Sequence, residues 1–174
     1  MKLTTIYSAD WFVAQYSNDI RILKFVDEKH AEYVAKMEEA LPADSKVETL
    51  CQFQPLTPSA ISHSELQGGN VLGLEDVVQD RATQMWLFTV QVYSAEDEAK
   101  VLPLAQDFLD EVNAYADSID ANLHWEYLNY AYKSQDPIAK YGAKAIDMIK
   151  KAAAKYDPDG VFQKLRRSGF KIPA

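Results

Sequence analysis

The sequence contains a single cysteine, Cys51, among 174 residues. One cysteine excludes an intrachain disulfide and a cysteine-based metal cluster, and it is compatible with a reducing compartment. A run of about 18 apolar residues, which a membrane span requires, is also missing, and Asp10 interrupts the region where a signal peptide needs an unbroken apolar stretch. Taking Met1 as the start, we expect a cytoplasmic protein that does not enter a membrane.

Basic residues and glycines are few as well. Because 26 acidic residues face 18 basic ones, the formal net charge is -8, which argues against binding to nucleic acid. None of the six glycines forms a GxGxxG motif or a P-loop, and the pair Gly68-Gly69 is too little to hold a pyrophosphate. The three histidines lack metal-ligand spacing. We expect no metal site and no cofactor bound by this chain alone.

Hydrophobic residues make up 48% of the chain, which is enough for one domain over residues 1–174. Periodicity predicts a helix from Ser17 to Leu41, strands at 47–56, 85–94 and 122–131, and a long helix after Ser94 in which Pro103 introduces a kink or marks the start. A last helix is expected from Asp136, and residues 4–15 have an extended pattern. This order predicts an α+β fold, an antiparallel sheet covered by helices on one face.

The expected strand at 122–131 contains the candidate site residues. Alternation places His124, Glu126 and Tyr130 on one face, where clustered ionisable groups indicate a pocket. Trp125 and Tyr127 fall on the other face, where they line a substrate cavity or simply pack in the core. Three further residues are candidates for that cavity, although the two glutamines also suit a solvated sheet face: Trp86, Gln52 and Gln54.

Four blocks near the C-terminus have a specific order and spacing: "YLNYA" at 127–131, "QDPIAKYG" at 135–142, "KYDPDGVFQ" at 155–163 and "GFK" at 169–171. Together they resemble the C-terminal end of berberine-bridge-enzyme-like FAD-linked oxidases. "FQPL" at 53–56 and "GGNVLGL" at 68–74 resemble the substrate domain of the same family. The resemblance runs from about Asp19 onward, with a berberine-like segment at 122–171.

The resemblance implies a substrate domain that forms one wall of a site, with the flavin lying between it and an FAD-binding domain that this sequence lacks. It implies that Tyr130 is the catalytic base and that Asn129 lies near the flavin when an FAD half is present. Since a free phenol titrates near pH 10, a tyrosine base needs help, which His124 or Glu126 would supply. One position departs from the family, because Ala145 stands where relatives usually have asparagine.

Three functions remain open from the sequence. The first is a truncated family member that acts as a cofactor-free cyclase or isomerase on a small apolar secondary metabolite, using positioning alone. The second is a split subunit or fragment of an FAD-dependent oxidase that needs a separate FAD-domain partner. The third is a non-catalytic binding module. Because loss of the FAD half would expose apolar surface, we also expect a homodimer that pairs through a sheet edge or face.

Overall fold

A computed structural model describes residues 5–173, and it consists of an antiparallel sheet with helices. None of the helices in that part of the chain is long and apolar enough to span a membrane. Single turns of 3₁₀ helix occur at Leu128–Tyr130 and Ile138–Lys140. In chain order the strands and α-helices are β1 (Ser8–Ser17), α1 (Ile20–Ala40), β2 (Val47–Leu56), α2 (Pro58–Leu66), α3 (Leu74–Val77), β3 (Thr83–Val92), α4 (Ala95–Ser118), α5 (Ala143–Tyr156) and α6 (Val161–Leu165).

The sheet has three strands in the order β1-β3-β2, and both pairings are antiparallel. The central residue Phe88 lies opposite Phe12 of β1 and opposite Cys51 of β2. Since side chains alternate along each strand, this register places the three residues on the same face. The predicted α+β class with an antiparallel sheet is therefore confirmed. The extended pattern at residues 4–15 corresponds to β1 from Ser8 onward, and Thr4 lies outside the described residues.

The long helices α1 and α4 cover this face and form the main core with it. Phe108 of α4 is fully buried, and its ring meets the rings of Trp86 and Phe88 edge-on at centroid distances of 5.2 and 5.0 Å. Tyr33 of α1 stacks on Phe108 at 5.1 Å. Because aromatic side chains bury large areas, this cluster supplies much of the hydrophobic free energy that joins the two layers.

Both long helices begin at a side-chain cap. Asp19, two residues after the predicted helix start at Ser17, accepts a hydrogen bond from the Arg21 backbone N–H at the start of α1. Ser94 accepts one from the Asp97 backbone N–H, as its sequence spacing predicts, so α4 starts at Ala95 and Pro103 does not mark its start. Acidic residues in the first turn of α4 also stabilise this helix start, because their negative charges lie at the positive end of the helix dipole.

The predicted strand at 122–131 is wrong. Asn122 makes one isolated bridge to Tyr16 of β1, and the Leu123 N–H donates to the Gln15 carbonyl. At His124 the backbone turns left-handed, with φ of 50°, and its N–H donates to the Asn122 side chain. This local bond replaces the next ladder bond, so the segment leaves β1 and continues as the Leu128–Tyr130 turn.

The chain from Trp125 onward lies against the face of the sheet opposite α1 and α4, where Trp125, Tyr141 and Ala145 pack on Val13 and Met85. The helix expected from Asp136 instead begins at Ala143, because Ile138–Lys140 forms a 3₁₀ turn and Gly142, with φ of 85°, breaks the run between them. Much of this face nevertheless remains open to solvent.

Strand β2 forms one edge of the sheet. Among residues 5–173 it pairs with β3 alone, so its outer row of backbone groups has no strand beside it. Leu50 is half-exposed on the open face, and Gln52 next to it is exposed. The smaller helices α2 and α3 lie in the connection from β2 to β3, where the sequence indicated only turns.

Phe108→Ala should lower the free energy of unfolding by about 3–5 kcal/mol, because it leaves a cavity beside Trp86 and Phe88. Leu66→Ala is the matched control, since Leu66 is 82% exposed, and it should change stability by less than about 0.5 kcal/mol. Urea unfolding followed by circular dichroism measures both. Equal losses in the two variants would contradict this assignment of the core.

Candidate functional site

Five aromatic side chains form a continuous row on the sheet face opposite the long helices. Successive ring centroids are separated by 5.2, 5.1, 6.1 and 5.9 Å. In order, the members of this aromatic row are Trp11, Tyr130, Tyr127, Trp125 and Tyr141. Trp11 comes from β1 and the other four from the C-terminal segment, so the row joins opposite ends of the chain.

Tyr130 lies at the solvent end of the aromatic row, beside Trp11, which is 39% exposed. Both residues line a cleft of about 480 Å³ at the outer edge of β1, together with Asn129, Asp10 and Lys133. Burial raises the pKa of the Asp10 carboxyl, which favours its neutral form. The cleft thus combines exposed aromatic surface with a few polar groups, which is the usual composition of a small-molecule site.

The polar groups on the row are held in place by short bonds. The Asn129 amide donates to the Tyr127 hydroxyl at 2.9 Å, and Asn129 itself is exposed. Trp125 is almost fully buried, and its indole N–H donates to the Leu72 carbonyl at 2.8 Å. Trp125 therefore packs inside the protein and fixes the loop before α3, whereas Tyr127 and Asn129 reach the surface.

Glu126 and His124 lie elsewhere, in a separate cleft of about 210 Å³ that also includes Asp117 of α4. Glu126 is buried, and one of its oxygens accepts a bond from the Lys140 ammonium at 2.6 Å while the other has no partner. His124 is exposed and lies 3.3 Å from Asp117. The expectation that both residues share a face with Tyr130 is wrong, because it depended on an uninterrupted strand.

Trp86, Gln52 and Gln54 do not line one cavity together. Trp86 is fully buried under the helices, where its indole N–H donates to the Cys51 sulfur at 2.9 Å. Burial raises the pKa of the Cys51 thiol to about 11, so this thiol stays protonated at neutral pH. The two glutamines project from β2 to the opposite face, and Gln52 there is exposed to solvent.

Sequence reasoning missed several residues of the cleft beside Tyr130. Trp11 and Asp10 belong to β1, for which the sequence predicts only an extended stretch, and Lys133 follows the turn that stands in place of the predicted strand. It also missed Gln135, whose buried side chain bonds to β1. The alternation of "WFVAQY" was the available signal for Trp11, but the contact with Tyr130 depends on tertiary packing that no local pattern contains.

The described residues suit the flat ring of a flavin better than its phosphates. Trp11 and Tyr130 offer aromatic surface beside an open cleft. The Gly68-Gly69 pair, in contrast, lines a cleft in which two acidic residues, Glu75 and Asp76, outnumber one basic residue, Lys144, so the net charge there does not favour a phosphate. This chain therefore offers aromatic surface to the ring, whereas the surroundings of its glycine pair are a poor match for the pyrophosphate.

The chain is similar to fungal proteins, several of which are named FAD-dependent monooxygenases. The chain is 41% identical over 119 residues to the FAD-dependent monooxygenase sdcF of Emericella nidulans, an alignment that covers 68% of this chain and 24% of the relative. It is 30% identical over 170 residues to the FAD-dependent monooxygenase drtC of Aspergillus calidoustus, an alignment that covers 95% of this chain and 32% of that relative. A third relative, the bifunctional solanapyrone synthase of Alternaria solani, is 32% identical over 120 residues, which are 68% of this chain and 22% of that relative.

The chain thus spans about a quarter to a third of the length of these curated relatives. No family model matches the sequence. No solved structure matches it either. The relatives support the expected relation to FAD-linked oxidoreductases of secondary metabolism at this general level, while the berberine-bridge-like family in particular stays a prediction.

Lys140→Met should destabilise the chain by about 1–3 kcal/mol, because it leaves the buried Glu126 carboxylate without its partner. The loss stays below the range for a fully buried pair, since the Lys140 side chain is 41% exposed. Adding Glu126→Gln to this variant should restore at least half of the lost unfolding free energy, because the unpaired carboxylate charge is then removed. Urea unfolding of the single and double variants measures both effects.

The control is Lys151→Met, which removes an exposed helical ion pair with Asp147 and should cost at most about 0.5 kcal/mol. If Lys140→Met costs no more than this control, the pair with Glu126 does not have the structural role assigned to it.

Proposed function

We propose that this chain forms the substrate-facing part of a berberine-bridge-like FAD-dependent oxidoreductase that acts on a small apolar secondary metabolite. The observation that carries the proposal is the exposed end of the aromatic row, where Trp11 and Tyr130 border an open cleft of about 480 Å³. The similarity to proteins named FAD-dependent monooxygenases supports it independently. Aromatic rings suit both a flat cofactor and an apolar substrate.

In this proposal the flavin, when bound, supplies the electron acceptor. Trp11 and Tyr127 contact the apolar body of the substrate and exclude water from one side of it. Tyr130 accepts the proton from a substrate hydroxyl or C–H group on its phenolic oxygen. Lys133 lines the same cleft, and in this proposal it takes the place of His124 and Glu126 as the charged neighbour of Tyr130.

The FAD phosphates and adenine are bound by a separate FAD-binding part in this proposal. The excess of acidic over basic side chains beside Gly68-Gly69 supports that division, because a net negative charge disfavours phosphate. The same observation favours a second candidate, the cofactor-free cyclase or isomerase, in which the cleft acts by positioning its substrate. A non-catalytic binding module and a homodimer also stay predictions, and light scattering of the purified chain tests the homodimer.

A chimera tests the main proposal. This chain replaces the matched segment of the Emericella nidulans relative, and we expect the chimera to be purified with bound FAD, visible in its absorbance spectrum. The isolated chain should stay colourless when mixed with FAD. A folded chimera without FAD would contradict the proposal, and conversion of a metabolite by the isolated chain would favour the cofactor-free alternative.

Tyr130→Phe in the chimera should leave FAD content unchanged and lower turnover of the relative's substrate by about 100-fold or more, because the proton acceptor is lost. Tyr156→Phe is the matched control, since Tyr156 is 76% exposed on α5, and it should retain full turnover. Steady-state rates with saturating substrate measure both variants. Unchanged turnover in Tyr130→Phe would remove Tyr130 from the mechanism.

A further inference from the structure

We propose that Gln135 is the positioning residue that holds Tyr130 against β1, and this inference rests on the function proposed above for Tyr130. Gln135 is 8% exposed and lies 122 residues away from its bonding partner in β1. Gln135 opens the block "QDPIAKYG", but nothing in that block predicts a role for it at the site. Its importance follows from the three hydrogen bonds that its side chain makes.

The amide of Gln135 bonds to the main chain at two places. Its oxygen accepts from the Val13 N–H at 3.1 Å and from the Tyr132 N–H at 3.0 Å. Its nitrogen donates to the Val13 carbonyl at 2.7 Å. One side chain therefore satisfies both backbone groups that Val13 directs away from β3, and it ties β1 to the C-terminal segment.

Glutamine is suited to this position for a chemical reason. An amide offers a donor and an acceptor side by side, in the way that a peptide group of a neighbouring strand does. A glutamate side chain, when charged, has no donor for the Val13 carbonyl, and an apolar side chain leaves all three buried groups without a partner. Asparagine is one methylene shorter and reaches less far.

The bonded residues flank the catalytic contact proposed above. Tyr132 follows Tyr130 by two residues, Val13 follows Trp11 by two residues, and the rings of Trp11 and Tyr130 lie 5.2 Å apart. Fixing Tyr132 to Val13 therefore fixes which part of the turn faces Trp11.

A second bond holds the other end of the same turn. The Leu128 N–H donates to the hydroxyl of Tyr141 at 3.3 Å. Tyr141 is buried, so its hydroxyl keeps a defined place below the turn. The Leu128–Tyr130 turn is thus held on both sides, by Tyr141 before it and by Gln135 after it.

Gln135→Met tests the inference by hydrogen exchange followed by NMR, on this chain alone. We expect the amide protons of Val13 and Tyr132 to exchange roughly tenfold faster or more, because they lose their acceptor. The Gln52 amide, in strand β2 on the far side of β3, pairs with Leu87 and should keep its rate. The Trp11 indole signal should shift because Tyr130 moves, while the signal of the buried Trp86 should not.

Gln67→Met is the matched control, since Gln67 is exposed in the loop after α2, and it should change none of these signals. Equal acceleration at Gln52 would overturn the inference, because Gln135 would then stabilise the fold as a whole. Unchanged rates at Val13 and Tyr132 would overturn it as well. If the variant does not fold, amide exchange of the unmodified chain tests the inference instead. Slow exchange at Val13 and Tyr132 is expected, and fast exchange at these amides would contradict the bonds to Gln135.

In the chimera, Gln135→Met should keep its FAD and lower kcat while changing KM less, because Tyr130 is displaced rather than removed. Gln135→Glu, which retains the acceptor for Val13 and Tyr132, should recover part of kcat. Equal kcat in Gln135→Met and the unmodified chimera would contradict the positioning role. A chimera without FAD would contradict the proposed function and leave the exchange result on the isolated chain intact.

Discussion

The outer edge of β1 is the place on which the rest of the structure depends. An edge strand directs backbone N–H and C=O groups outward, and buried groups of this kind need partners. The C-terminal segment supplies them in succession, through Ala121 to Ser17, Leu123 to Gln15 and the Gln135 side chain to Val13. The first strand and the last third of the chain are thereby fixed to each other without a further strand.

This attachment also divides the candidate residues into two groups. Where the segment leaves β1 at His124, the following residues diverge: Glu126 is buried in a small polar cleft with Lys140, whereas Tyr130 reaches the opposite side and meets Trp11. The polar cleft contains the ion pair that we expect to stabilise the fold, and the aromatic row is the surface that we propose for a flat ligand. One short irregular stretch thus separates a structural charge pair from the proposed site.

Much of the fold could be predicted from the sequence because it depends on local patterns. The caps, periodicities and alternation that define α1, α4, β2 and β3 are each contained within a few neighbouring residues. The failures have non-local causes. Alternation at 122–131 suggested a strand, but the left-handed His124 and the Asn122 side chain ended it after one bridge.

The candidate site was predicted less well for the same reason. Tyr130, Tyr127 and Asn129 do share one surface, but their partner Trp11 lies more than 110 positions away, and only the packed structure brings it near. Trp86 was named for its aromatic character, which core packing explains equally well, and it is buried among the helices. Residue type indicated where chemistry was possible, and tertiary contacts decided which residues met.

The open outer edge of β2 has a practical consequence for handling the isolated chain. Ten residues of extended backbone, with Leu50 half-exposed among them, offer a template on which another strand can add, and repeated addition leads to aggregation. Protection comes from Pro55, which lacks an N–H, and from the charge of Glu48. A concentration-dependent loss of soluble protein is therefore a property to expect of this strand, and substituting lysine at Leu50 is the change that would oppose it.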